Sequence, residues 1–205
     1  MRERVFAIAA AFAASLAPAF AAPAPVGAVD RVEADVTAAQ TGETRPLSPS
    51  SPLLFKDSVR TGAGARFEGK LDDGTVLTLG EKGKLKIDEF VYKPGEPGGK
   101  LALTVAKGAF LFVGGKIEGP TGGNVEIRTQ VGVIGVRGTT VWGGPIDGGF
   151  GVLCLKGEVW VKTKHGVVDL KEGKGTMLYA GRKPLSAAPW PDDRTKRAVA
   201  TVSFR

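Results

Sequence analysis

The sequence predicts an all-β domain, curled as a β-roll or twisted β-solenoid or packed as a jelly-roll-like sandwich, with one short C-terminal helix. Three observations carry this. From Asp30 to Pro184 the chain runs in short stretches of alternating apolar residues. Glycine-bearing turns break those stretches about every eight to twelve residues. Only the final PWPDDRTKRAVATVSFR leaves that texture. Alternation with period two sends one side chain into a core and the next out of it, which fits strands.

The first segment lies outside that domain. Met1 to Ala21 has two arginines ahead of a short apolar run and ends on Ala19-Phe20-Ala21, the pattern of a cleaved secretory signal. Pro18 and the alanine content argue against a permanent span, and no cysteine stands at the cleavage point to carry a lipid. The expectation is an exported chain, soluble after cleavage and without stable membrane insertion. Arg2, Arg4 and Glu3 leave with the signal, so the formal charge falls from +7 to +6. The remaining basic residues are scattered and export removes the usual targets, so nucleic acid is not an expected partner. Anionic envelope glycan or cell-wall polymer is the more accessible one.

Residues 22–29 are rich in Ala and Pro and are expected to form a flexible leader, with the β domain over 30–184 and a tail carrying the helix over 185–205. Within the β domain, FEGKLDDGTVLTL is the clearest hairpin, turned by the favoured pair Asp73-Gly74. KLKIDEFVY follows, with Leu85, Ile87 and Glu89 on one face. KPGEPGG, Lys93 to Gly99, and GPTGG, Gly119 to Gly123, are loops. Between them Leu101, Leu103 and Val105 alternate before Lys107-Gly108, and Phe110 and Phe112 alternate after it. VEIRTQVGVI from Val125 echoes VWVKTKHGVV from Val159, and AKGAFLFV from Ala106 echoes LKGEVWVK from Leu155, as two copies of a strand-turn-strand unit would. Cys154, the single cysteine, sits in the aliphatic run GVLCLKG as a small buried hydrophobe. In the tail, Asp192 or Asp193 caps a short helix after Pro191, with Ala198, Val199 and Val202 on its apolar side and Trp190 pinning it to the β body.

Motifs for chemistry fail on context. GARFEGKL has the glycine and Gly-Lys spacing of a phosphate loop, but Leu71 replaces the magnesium-binding hydroxyl and a hairpin follows where a helix is required. The glycines of GVIGVRG are three apart, unlike a dinucleotide fingerprint. His165, the single histidine, is expected as an exposed turn residue, far from a nucleophile or a zinc site. Asp72-Asp73 belong to a turn, Asp192-Asp193 to a helix start, and Asp88 and Glu89, adjacent on a strand, point apart. These readings predict no catalytic residues, no cofactor and no metal: a protein that is not an enzyme.

Four segments in order carry a family resemblance: DSVRTGAGARFEGKLDDGTVLTLGEKGKLKIDEF, LTVAKGAFLFVGGKI, VEIRTQVGVIGVRGTTVW and LKGEVWV. Together they resemble the FecR-domain family over about Asp30 to Met177. The resemblance implies a FecR-type periplasmic β domain of Gram-negative bacteria. In sensor proteins that domain helps relay a signal from an outer-membrane transporter to an anti-sigma element. The chain departs from such sensors in lacking an anti-sigma segment, a transmembrane helix and a receptor-contacting domain, so the expectation is a stand-alone exported module. Locally, Gln130 stands where proline often follows the threonine, and Thr140 where an acidic residue often follows Gly-Thr. The leading expectation for function is binding to an envelope protein through exposed strand edges, possible in cell-envelope signalling. The alternatives are recognition of an anionic glycan, for which Trp142 and Trp160 are candidate platforms although each is expected rather as a core residue, and a structural envelope protein. The candidate structural or partner-binding residues are Gly135, Arg137, Gly138, Thr139 and Trp142. Arg137 is either buried against a carboxylate or exposed at a binding edge; the structural role is favoured, with Arg137→Ala lowering the melting temperature.

Overall fold

The computed structural model describes residues 24–118 and 122–205. The expected signal over 1–21 and the first part of the GPTGG loop lie outside the described residues. Sixteen strands form one continuous sheet. They are β1 (Pro25–Glu33), β2 (Val36–Gln40), β3 (Glu43–Pro46), β4 (Pro52–Leu54), β5 (Ser58–Thr61), β6 (Arg66–Leu71), β7 (Val76–Leu79), β8 (Lys84–Val91), β9 (Lys100–Lys107), β10 (Phe110–Val113), β11 (Asn124–Thr129), β12 (Val133–Ile146), β13 (Gly149–Thr163), β14 (Gly166–Lys171), β15 (Lys174–Leu178) and β16 (Ala188–Pro189). A 3-10 turn spans Lys116–Glu118, and the helix α1 spans Asp192–Ala200. The fold is therefore all-β with one short C-terminal helix, as the sequence predicts, and the sheet is curled.

The path of the sheet is β3-β2-β5-β8-β9-β11-β12-β10-β7-β6-β1-β4, with β13 on β12, then β14 and β15 on β13, and β16 on β15. Neighbours are antiparallel except β9 and β11, which run parallel. β12 is the pivot. Its first half pairs with β11 (Val125 opposite Val136), its second half with β10 (Phe110 opposite Gly143), and its whole length with β13.

Curling gives the sheet an inside, filled by the alternating residues. Phe67, Leu79, Leu103, Phe110, Phe112, Ile127 and Ile134 are all within 2 % of complete burial there, each removing about 1.5–3 kcal/mol worth of apolar surface from water. A second cluster forms on the opposite face, where α1 covers Trp142, Leu153, Met177 and Trp190 with Ala198 and Val202.

Local differences from the sequence reading have clear causes. The expected leader is strand from Pro25: β1 pairs with β6 and β4, and Val26 and Val29 are buried. The DDGT turn has three residues, since Leu71 donates to the carbonyl of Thr75 and Gly74 takes a φ of 87°. In β8, Asp88 is an extra residue between the Ile87 and Glu89 pairings. That bulge reverses the alternation, so Phe90 packs on the core while Glu89 reaches Lys100 at 2.9 Å. The helix begins after Pro191 as expected, but Pro191 holds the cap position without a side-chain cap; Asp192 and Asp193 sit in the first turn, where negative charge favours the helix dipole.

The internal echo is a real structural repeat of one turn. Thr129 Oγ1 donates to the Gly132 carbonyl and accepts from the Val131 amide; Thr163 Oγ1 donates to the Gly166 carbonyl and accepts from the His165 amide. TQVG closes β11 on β12 and TKHG closes β13 on β14, so the matched threonine and glycine are the turn itself. Cys154 is buried in the core, its thiol pushed above its ordinary pKa by burial, in agreement with the sequence reading.

Candidate functional site

The stretch GVIGVRGTTVW builds most of β12, and its alternation defines two faces. Ile134 and Val136 point into the main core with Val159 and Val161 opposite. Gly135 and Arg137 therefore face outward. Gly135 is paired with Trp160, and the indole lies directly on it: a Cβ at position 135 would fall 1.9 Å from the ring. Glycine is required there because the ring occupies that space. Trp160 stays 36 % exposed, flanked in its row by Glu126 and Asp169. The adjoining row holds Arg128, Val133, Lys162 and Val167, the last 60 % exposed. Among the described residues β14 pairs with β13 alone, and its other edge is unpaired.

Arg137 is exposed, opposite Glu158, and makes no side-chain hydrogen bond or ion pair with the described residues. The favoured sequence reading, a buried arginine with a carboxylate partner, is thus corrected. Its outward direction follows from the regular β12–β13 register up to Arg137, and two bulges that a residue pattern does not reveal follow it.

The first bulge places Gly138 and Thr139 together opposite Gly157, between the Arg137–Glu158 and Thr140–Lys156 pairings. Gly138 has φ 64° and Gly157 φ 81°, and a Cβ on Gly157 would fall 2.4 Å from the Gly138 carbonyl oxygen. The freed bulge amides find partners across the sheet. Thr139 N–H donates to Glu118 Oε2 at 3.0 Å, and Gly114 N–H donates to the Thr139 carbonyl at 2.9 Å. Glu118 in turn lies over Gly114, where a Cβ would overlap its carboxylate.

Asp73 completes this junction. Fully buried, it accepts from the Thr75 amide at 3.0 Å, the Thr75 hydroxyl at 2.8 Å and the Ile117 amide at 3.4 Å, while its carbonyl accepts from Lys116 at 2.8 Å. Three segments distant in sequence, LDDGT, VGGKIE and VRGT, thus close on one another. Thr139 is 4 % exposed inside the junction. Sequence reasoning missed Glu118 because a lone glutamate before a glycine-rich loop has no signature of its own.

Burial pushes the Glu118 carboxyl above its ordinary value of 4.5, against the two bulge amides that lower it, and neighbouring Asp73 raises it further. The raised folded pKa favours the protonated form. Its contribution to stability is complete below the unfolded value and is lost as pH rises through the folded one. Glu118→Gln, which keeps an acceptor for the bulge, is expected to gain on the wild type as pH rises upward from 4.5. Urea midpoints of both proteins across that range test this; parallel pH profiles would refute it.

Trp142 is fully buried under α1, so it cannot serve as a ligand platform. His165 is half-buried rather than exposed, packed by its turn into a cleft with Tyr179 and Arg182. Asp192–Asp193 lie on α1, and Asp193 reaches only Arg197, at 3.5 Å. Among the described residues no group of three His, Cys, Asp or Glu could hold a metal ion. None of their helices is long and apolar enough to cross a membrane.

A curled, largely antiparallel sheet with one outward face half covered by a terminal helix and half open defines a β-roll module whose motifs are structural joints. The family model described as "FecR protein" matches residues 57–160, half of the chain. The chain belongs to the FecR family. Two crystal structures of a candidate anti-sigma factor from Parabacteroides distasonis ATCC 8503 share the fold, with TM-scores of 0.53 and 0.54 at 14 % identity. Each alignment covers 68 % of this chain and 62 % of that one. The chain thus spans less than two thirds of the structures it resembles. No curated protein matches it.

Proposed function

We propose that the chain is an exported, periplasmic, non-enzymatic FecR module with a signalling-related role, which binds an envelope protein through the open face of β11–β14 and the free edge of β14. One observation carries the reading: Trp160 lies on Gly135 in full view, beside the uncommitted Arg137, on the half of the face that α1 leaves uncovered. Aromatic and arginine side chains are the groups that concentrate binding energy at protein interfaces. The unpaired edge adds backbone donors and acceptors that a partner strand can fill. Family membership and the anti-sigma-factor fold relatives support a protein partner over a substrate. The glycan alternative loses one of its two tryptophans to the second core.

The test uses a photo-crosslinking residue at position 167, with a second at position 95 in the distant KPGEPGG loop as control, in cells expressing the full chain. A discrete crosslinked protein from 167 alone is expected. Arg137→Ala is expected to abolish that product while shifting stability by no more than about 0.5 kcal/mol, as for exposed positions generally. Equal crosslinking from both positions, or a large drop in melting temperature for Arg137→Ala, would contradict the assignment.

A further inference from the structure

Arg66 ends the RTGAGAR segment and opens β6, yet it is only 6 % exposed. Its Nη1 donates to the Ala65 carbonyl at 2.8 Å, while Nε is buried without a partner among the described residues. Arg66 forms no ion pair with the described residues; the charge it meets in this region is the exposed carboxylate of Glu81, and a buried cation so weakly paired is costly to hold. The side chain lines a cleft of about 580 Å³ between the β9–β10 corner and the end of α1. Lys82, Lys107 and Arg197 also line it, with Ala109, Pro145 and Ala200 as its apolar wall. Arg197 is committed to Asp147 at 2.6 Å. The one carboxylate present, Glu81, is exposed and accepts from the Gly64 amide at 2.7 Å. Lys82 and Lys107 form no ion pair with the described residues, and Glu81, which feels the charges of Arg66 and Lys82, is the one carboxylate lining the cleft against Arg66, Lys82, Lys107 and Arg197, so the cleft keeps an excess of positive charge with Arg66 desolvated in its wall.

We propose that this cleft binds a phosphomonoester. Its oxyanion sits on the side of the Arg66 guanidinium that Ala65 leaves unbonded, Lys82 and Lys107 approach from the mouth, and an uncharged body rests against Ala109, Pro145 and Ala200. A phosphate dianion matches a guanidinium fork reinforced by point charges, and the buried Arg66 gives that contact a low local dielectric. The site is remote from the Trp160 face in residues and chemistry, so it stands or falls apart from the proposed protein partner.

Isothermal titration of the full chain with glucose 6-phosphate, glucose and inorganic phosphate at low salt tests this, alongside sedimentation with vesicles containing phosphatidic acid. Saturable binding of the sugar phosphate, with glucose silent, is expected to identify a soluble ligand; binding confined to the vesicles identifies a lipid headgroup, and both agree with the site. Arg66→Gln is expected to weaken binding by about tenfold or more, the scale of one lost charge-assisted contact. Because Arg66 is buried and its replacement could unfold the chain, Ala200→Phe supplies a second variant: Ala200 is exposed on α1, and the ring would fill the cleft. Absence of binding to every phosphate-bearing probe, or affinity unchanged in Ala200→Phe and in folded Arg66→Gln, overturns the proposal.

Discussion

Trp142→Ala is expected to destabilise the protein by about 4 kcal/mol, within the range for deleting a large buried aromatic. Trp142 is fully buried, its ring meets Trp190 edge-on at 5.9 Å, and its Nε1–H donates to Thr201 Oγ1 at 3.1 Å. Trp142 thus joins the sheet, the tail and the residue that ends the helix. Removing it leaves an indole-sized void beneath α1 and takes away one of the two hydrogen bonds of Thr201 Oγ1, which keeps its bond to the Ala198 carbonyl, so the tail is expected to loosen before the roll does. For a domain of this size the melting temperature should fall by about 8–16 °C. Limited proteolysis should cut the variant within residues 190–205 first. Trp142→Phe, which fills most of the space but loses the hydrogen bond, should fall by less. A melting temperature unchanged in Trp142→Ala would mean that α1 does not depend on this face.

Asp73→Ala is expected to cost about 3 kcal/mol. The carboxylate is fully buried and satisfies the amide and hydroxyl of Thr75 as well as the Ile117 amide. Each buried donor left without an acceptor costs about 1–3 kcal/mol, and the weaker Ile117 contact adds little. Relief of repulsion with Glu118 offsets part of the loss, because Asp73 is one of the groups that raise the Glu118 pKa. The two effects separate in a double-mutant cycle with Glu118→Gln: the pair is expected to be non-additive, since both residues clamp one junction. Asp73→Asn, keeping one acceptor, should recover part of the stability. Chemical denaturation of the four proteins decides this, and strict additivity would remove the coupling between the DDGT turn and the VRGT bulge.

The four motifs that carried the FecR resemblance were legible as strands and turns, but their shared purpose was not. DDGT reads locally as a tight turn, and it is one; that the Asp73 carboxylate would turn inward to accept from the Ile117 amide, with its backbone carbonyl accepting from the Lys116 amide, depends on residues more than forty positions away. Similarly, the repeat of TQVG and TKHG was visible as matched letters, because a threonine that caps its own turn is a local device. The strand face was misread at Glu89, where a bulge intervenes. At Asp88 and at Gly138-Thr139 one extra residue reverses the alternation, and no period-two pattern contains the information that a residue is unpaired.

The sequence by itself determined the all-β class, the positions of the turns, the buried Cys154 and the start of α1. All of these follow from interactions between residues close in the chain: side-chain alternation, glycine at positive φ, and proline before a helix. Only the tertiary structure decided that Trp142 lies under a helix while Trp160 lies open, that Arg137 has no partner among the described residues, that Arg66 is buried in the wall of a cleft, and that Glu118 closes the junction. Those outcomes depend on which distant surface covers a given face. Outside the bulges a residue's neighbours along the chain fix which way it points, and only the curl of the sheet fixes what it meets there.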